Sequence, residues 1–236
     1  MMRCAVFGAS GAIGAALVGL LAARDDVEVV FAGSRRGAVP QGAKIVPFTF
    51  DALDESLAQT VAALGAPLDI VLIATGRLTR ADGSGPEKAL RQLDAGALAE
   101  QFADNAIVPA MIARAVQPLL PRDRRCVVAA LSARVGSIGD NRLGGWHAYR
   151  ASKAALNMLL RTIAIEWARS HPRAVVAALH PGTVATALSA PFQRGVAPDK
   201  LFTPAMSAAA LLRVIDGLTP ADSGGFFAWD GTMIPF

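Results

Sequence analysis

The stretch "MRCAVFGASGAIG" (residues 2–14) decides how the rest of the chain is read. "MRCAVF" has the length and apolar character of a strand, and Gly8, Gly11 and Gly14 follow at three-residue spacing as a helix opens at Ala12. Glycine permits a tight turn and lets the backbone approach a pyrophosphate, whose charge meets the free N–H groups of the helix start. Alone, such a loop could be a simple structural turn. At the strand-to-helix junction of a first βαβ unit, it points to dinucleotide binding.

Working outward, strand-length apolar runs recur at 27–32, 44–49, 68–74, 126–131 and 174–180, with a final short one in "GFFAW". Between them, helical periodicity covers about 12–23, 53–64, 94–119, 148–170 and 204–217. Alternating β and α elements imply right-handed crossovers and a parallel sheet with helices on both faces. The expectation is a Rossmann-like, doubly wound α/β fold, a single domain over 1–236. The hydrophobic fraction of 53% and mean hydropathy of +0.40 suit a sheet buried on both faces. In this architecture ligands bind beyond the carboxyl ends of the strands, so the segments after each run should converge on one cleft.

Composition narrows the function classes. The net charge of +4 comes from dispersed arginines, and the tightest group, Arg122, Arg124 and Arg125, reads as a solvated turn. No basic stripe carries interleaved aromatics, so no nucleic-acid partner is expected. The three histidines lack metal-ligand spacing and no CxxC or HExxH occurs, so no metal is expected. Cys4 and Cys126 sit in strand-like runs and read as reduced core thiols. No signal-like stretch precedes the first glycines and nowhere do 18 uninterrupted apolar residues occur. A cytoplasmic protein without a membrane partner is expected.

The second strand's end carries the cofactor choice. An NAD site wants an acid there for the ribose 2′-hydroxyl. The sequence reads "FAGSRRG", and Ser34, Arg35 and Arg36 suit a 2′-phosphate through charge-assisted contacts. NADP(H) is preferred; NAD(H) stays open if the arginines are merely exposed charges.

Residues 147–157, "HAYRASKAALN", hold the only tyrosine and one of four lysines. At i and i+4 on a helix, Tyr149 and Lys153 share a face. A phenol with pKa of about 10 is a poor proton relay at neutral pH, and an adjacent ammonium would bring it toward the working range. A surface lysine beside an incidental tyrosine is the ordinary reading of a bare YxxxK.

The glycine loop, "IATG" (73–76), Asn105, "LSARVGS" (131–137), "YRASK" (149–153) and "HPGTVAT" (180–186) decide between the two. In order and spacing they resemble the short-chain dehydrogenase/reductase family over essentially the whole chain. The likeness is strongest to its branch of C-factor and sniffer-like carbonyl reductases. The resemblance implies reduction of a small-molecule carbonyl, or oxidation of an alcohol, with Tyr149 as proton donor. It implies that Lys153 tunes Tyr149 and binds the nicotinamide ribose, and that Asn105 holds a water behind the lysine. It further implies that Gly8, Ser10, Ile13 and Gly14 line the pyrophosphate and that Asp51 accepts from adenine, with an N-cap near Leu53 as its competing role. Ala74 and Gly76 would pass beneath the adenosine ribose, and Pro181, Gly182, Val184 and Thr186 would fix the carboxamide.

Some positions depart from the family. Ala12 stands where a glycine is usual, and "ATG" replaces asparagine-alanine-glycine. Aligning Gly136 puts Ala133 at the catalytic serine position. Ser132 is the first choice if a bulge turns it inward, and Ser137 the reserve. This keeps open a dinucleotide-binding signalling protein with little turnover, or an NAD-dependent alcohol dehydrogenase. The segments 77–90 and 188–202 read as mobile loops, with Arg77, Arg80, Asp82 and Glu87 solvated, and with Phe192, Val196, Leu201 and Phe202 as an apolar lining. Leu156, Leu159, Ile163 and Trp167 form a stripe that faces either a second copy or the chain's own sheet.

Overall fold

Alternation along β1 (Met2–Phe7) sets the two faces of the molecule: Cys4 and Val6 enter one apolar layer, Ala5 and Phe7 the other, all fully buried. A strand covered on both sides belongs to a parallel sheet between helices. The structure, a computed structural model, describes residues 1–35, 38–80, 82–187, 189–190 and 201–236.

After β1 come α1 (Ala12–Ala22), β2 (Val27–Ser34), β3 (Ile45–Thr49), α2 (Leu57–Ala62), β4 (Ile70–Ile73), α3 (Ala95–Phe102) and α4 (Val108–Val116). The second half holds β5 (Cys126–Leu131), α5 (His147–Ser170), β6 (Ala174–His180), β7 (Thr183–Val184), β8 (Leu201–Phe202), α6 (Pro204–Gly217) and β9 (Phe226–Ala228). Among the described residues the sheet has seven parallel strands in the order β3-β2-β1-β4-β5-β6-β9, and β7 pairs with β8 apart from it. The expected doubly wound α/β fold is the observed one.

Leu17 and Leu21 of α1 join Leu211 and Ile215 of α6 on one face. Val61 of α2, Ile112 of α4, and Leu156 and Trp167 of α5 cover the other. Each fully buried leucine or isoleucine contributes about 1.5–3 kcal/mol. Leu156 and Trp167 of the α5 stripe therefore face the chain's own sheet, while Leu159 and Ile163 are only half-buried.

Three local expectations are corrected. The helix read over 94–119 is broken: α3 passes through a π turn (Ala103–Ile107) into α4 and ends in a 3₁₀ turn (Gln117–Leu119). Pro109 has no N–H to give to the carbonyl of Asn105, four residues back, which loosens the ladder there. The helix read over 53–64 begins only at Leu57. The "PRDRR" turn is not simply solvated: Arg124 pairs with Asp69 at 2.8 Å, and Arg125 donates to the carbonyls of Ile215 and Leu218 at the end of α6.

Candidate active site

The strand order reverses between β1 and β4, and there the chain leaves a groove of about 1000 Å³. Doubly wound folds bind ligands at this switch point. Gly8, Ser10, Ser34, Arg35, Asp51, Ala74 and Gly76, all expected in the cofactor site, line it. Gly8 has φ +90°, and a Cβ on it would stand 2.8 Å from the carbonyl of Ala74. A Cβ on Gly14 would reach the Gly8 oxygen at 2.2 Å, so the loop closes only with both side chains absent. Ile13 packs behind the loop on the α1 layer. The N-cap of α1 is Gly11, which has no side-chain cap, and no acid lies in the first turn. Those N–H groups suit a phosphate anion.

Arg35 is largely exposed and lies 4.0 Å from Asp104, which also holds Arg77 at 3.0 Å. Arg36 lies outside the described residues. Asp51 accepts from the N–H of Leu53 at 3.0 Å, yet α2 starts at Leu57 behind Ser56, so the N-cap alternative for Asp51 fails.

α5 turns a buried polar face toward the same end of the sheet: Tyr149, Ser152, Lys153 and Asn157. Lys153 Nζ donates to the carbonyl of Leu131 at 2.8 Å and lies 5.9 Å from the Tyr149 ring centre. A Cβ on Gly76 would sit 3.3 Å from that Nζ and 2.9 Å from Asn105 Oδ1, so the groove meets this face at Gly76. Asn105, fully buried in the π turn, accepts from the N–H of Arg77 at 2.9 Å. Its Nδ2 lies within hydrogen-bonding distance of the Arg77 carbonyl (2.8 Å), Gln101 Oε1 (2.7 Å) and Ser152 Oγ (3.2 Å). Asn105 thus straps the chain after β4 to α5.

The electrostatics differ from expectation. Burial pushes the Tyr149 phenol well above its ordinary range and pushes the Lys153 ammonium down to about 7. Desolvation is the cause in both, because both lose water and the lysine's hydrogen-bond partner is a neutral carbonyl.

Ser132 follows the even positions of β5 toward α5, and no bulge interrupts the register up to Leu131. Its Oγ donates to Asn157 Oδ1 at 2.7 Å, two helical turns, or about 12 Å along the axis, beyond Tyr149. Ser137 is buried and accepts from the N–H of Asp140 at 3.0 Å. Ser132 therefore has its proton engaged inside the core.

The 180–186 segment sits beyond β6. Gly182, at φ +78°, has the Phe202 ring where a Cβ would point, and Phe202 packs edge-on against Trp229 at 4.6 Å. The Pro181 carbonyl accepts from Ser207 Oγ at 2.7 Å, Val184 is buried, and Thr186 Oγ1 lies 3.3 Å from Ser189 Oγ. Leu201 and Phe202 form β8; Phe192 and Val196 lie outside the described residues.

The 77–90 segment corrects the sequence reading most. Arg77 pairs with Asp104, and Glu87 is buried in an ion pair with Arg80 at 3.1 Å; only Asp82 is exposed as expected. Asp104, Gln101 and Asn157 also join the site without having been singled out. Their signal was a polar residue on an apolar helix face, which spacing alone does not distinguish from exposure. Cys4 and Cys126 are buried free thiols, their pKa values raised by burial to about 12 and about 11. Among the described residues no cluster of histidine, cysteine and acids could hold a metal, and no helix is long and apolar enough to cross a membrane.

Fold and groove together define a doubly wound α/β protein with an open crevice at its switch point. The model of the short chain dehydrogenase family matches residues 3–196, and the chain belongs to that family, whose members are NAD(P)-dependent oxidoreductases. It is 37% identical over 171 residues to C-signal of Myxococcus xanthus, covering 72% of this chain and 93% of that protein. It is 35% identical over 180 residues to 1-hydroxy-2-glutathionyl-2-methyl-3-butene dehydrogenase of a Rhodococcus species, covering 76% and 74%. A carbonyl reductase from Pseudomonas aeruginosa superposes with TM-score 0.82 at 26% identity over the full length of both chains. Carbonyl reductase Sniffer of Drosophila melanogaster shares the fold, with TM-score 0.84 at 20% identity, again over both full chains.

Proposed function

We propose that the chain works as one domain over residues 1–236 and reduces an aldehyde or ketone to an alcohol with NADPH, Tyr149 supplying the proton. The observation that carries this is the junction at Gly76, where the groove meets Asn105 of the π turn and Lys153 on the helix of Tyr149. When bound, the reduced nicotinamide supplies hydride to the carbonyl carbon. Gly8, Ser10, Ile13 and Gly14 cradle its pyrophosphate, Asp51 its adenine, and Ala74 and Gly76 its ribose. Pro181, Gly182, Val184 and Thr186 orient its carboxamide. Ser34 and Arg35 favour the 2′-phosphate, since the end of β2 offers a hydroxyl and a guanidinium where NAD enzymes of this fold place an acid.

A phenol whose pKa is raised stays protonated at neutral pH, which is the form that donates. As charge develops on the substrate oxygen, Tyr149 Oη gives up its proton. Lys153, titrating near 7, stabilises the phenolate and returns a proton. Asn105 keeps the lysine and the chain after β4 in register. Ser132 acts through Asn157 as a positioning residue. The site then lacks one oxyanion donor, an absence that typically costs about 10²–10³ in rate. Two buried reduced thiols suit the cytoplasm.

The test is NADPH consumption across aldehydes, ketones and quinones, with Tyr149→Phe as control. Turnover by the wild type that the variant lacks supports the reading. NADPH binding without turnover by either protein favours the second reading, a dinucleotide-binding signalling protein, which the match to C-signal over 93% of its length motivates. Turnover with NADH at equal affinity would favour an NAD-dependent alcohol dehydrogenase.

A further inference from the structure

We infer that Glu87 is a positioning residue: it caps the helix carrying Tyr149 from a segment 61 residues away and thereby fixes the orientation of the phenol. As a statement about catalysis the inference rests on the proton-donor reading above; as a statement about the helix it stands alone.

α5 starts badly by its own means. Its N-cap is Trp146, whose side chain makes no capping bond, and its first turn holds no acid. Trp146 is left-handed, with φ +51°, the only non-glycine residue with positive φ among the described residues. Bulky residues avoid that region unless their surroundings enforce it, and such outliers collect at functional sites.

Glu87 supplies what the helix lacks. Its backbone carbonyl accepts from the N–H of Trp146, and its Oε2 accepts from the N–H of Ala148 at 3.3 Å. Its Oε1 takes Arg80 Nη2 at 3.1 Å, and the side chain is only 2% exposed. A buried carboxylate at a helix amino terminus makes charge-assisted bonds and meets the positive end of the helix dipole. Gln92 holds the turn behind it, with Oε1 accepting from the N–H groups of Lys88 and Ala89. The Trp146 ring packs edge-on to Tyr149, ring centres 6.3 Å apart. The restraint thus runs from Glu87 through Trp146 and the first turn of α5 to the phenol. None of these atoms lines the cofactor groove.

The test compares Glu87→Ala and Glu87→Gln with wild type by kcat, NADPH affinity from fluorescence titration, and hydrogen exchange of the amides of 148–150. Glu87→Ala should lose about 10²-fold in kcat, the effect of a small misplacement of a reacting group, with NADPH affinity unchanged. Its amides should exchange about tenfold faster, the effect of losing one cap. Glu87→Gln, whose amide oxygen still accepts, should recover most of both. Should Glu87→Ala fail to fold, Glu87→Asp carries the test, because it withdraws the carboxylate by one methylene: kcat and protection should fall while affinity holds. The inference is overturned if these variants keep wild-type exchange, if glutamine is as damaging as alanine, or if NADPH affinity falls along with kcat. If wild type itself turns over no carbonyl, the proposed function fails, while hydrogen exchange still decides whether Glu87 caps α5.

Discussion

The two halves of α5 differ in what they bury: the first holds every polar side chain the helix buries, beside Ala148 and Leu156, and the second buries only apolar ones. Its first three turns present Tyr149, Ser152, Lys153 and Asn157 to the interior, and its last three present Leu160, Ala164 and Trp167. The later half lies along strands whose backbone groups are already paired, and the side chains it buries there are apolar. The earlier half overhangs the carboxyl ends of β4 and β5, where the ladder stops and the Leu131 carbonyl and the chain after Gly76 offer partners to polar groups. Buried polar side chains persist where such partners exist. One helix therefore anchors the fold at one end and carries the proposed proton-transfer pair at the other.

Four measurements would break or sharpen that contrast. Tyr149→Phe should lower turnover by about 10²–10⁴-fold, while thermal unfolding stays near wild type, because no hydrogen bond to its hydroxyl is made among the described residues. Loss of stability without loss of turnover would erase the distinction. Trp167→Ala should do the reverse: about 3–5 kcal/mol less stability in urea, with kcat per folded molecule unchanged.

The third concerns pH. Lys153 titrates at about 7 in the fold and near 10.5 when unfolded, so between those values the unfolded chain holds the extra proton. Stability should then rise with pH, by at most about 1.4 kcal/mol per unit, from near 7 up to about 10. Above about 10 the raised Tyr149 phenol acts in the opposite sense, because the unfolded phenol ionises first. Urea titrations should show this rise in wild type and lose it in Lys153→Met; equal slopes would mean that the ammonium stays hydrated. The smallest effect lies across the groove, at the exposed Arg35 beside Asp104. Arg35→Ser should weaken NADPH by about tenfold and leave NADH affinity nearly unchanged, as read by fluorescence titration.

Much of this contrast was legible beforehand. The glycine loop, the alternation of elements and the four-residue spacing of Tyr149 and Lys153 are local patterns, and α1 and α6 fall almost where their periodicity put them. The long middle helix was misread because apolar periodicity continues through a π turn that Pro109 and the bonds of Asn105 create. The ionisation of Tyr149 and Lys153 escaped the spacing argument because it is set by burial, which spacing does not report.

By itself the sequence determined the alternation of the main strands and helices, where the glycine loop lies, and which phenol and ammonium share a helix face, since each depends on neighbours within about one or two turns. Only the tertiary structure decided that Ser132 spends its proton on Asn157, that Asp104 holds Arg35 and Arg77, and that Glu87 caps α5. Those outcomes join residues 25 to 69 positions apart. Whether such a polar group meets water or a partner is fixed by how the layers pack, and no local periodicity encodes that.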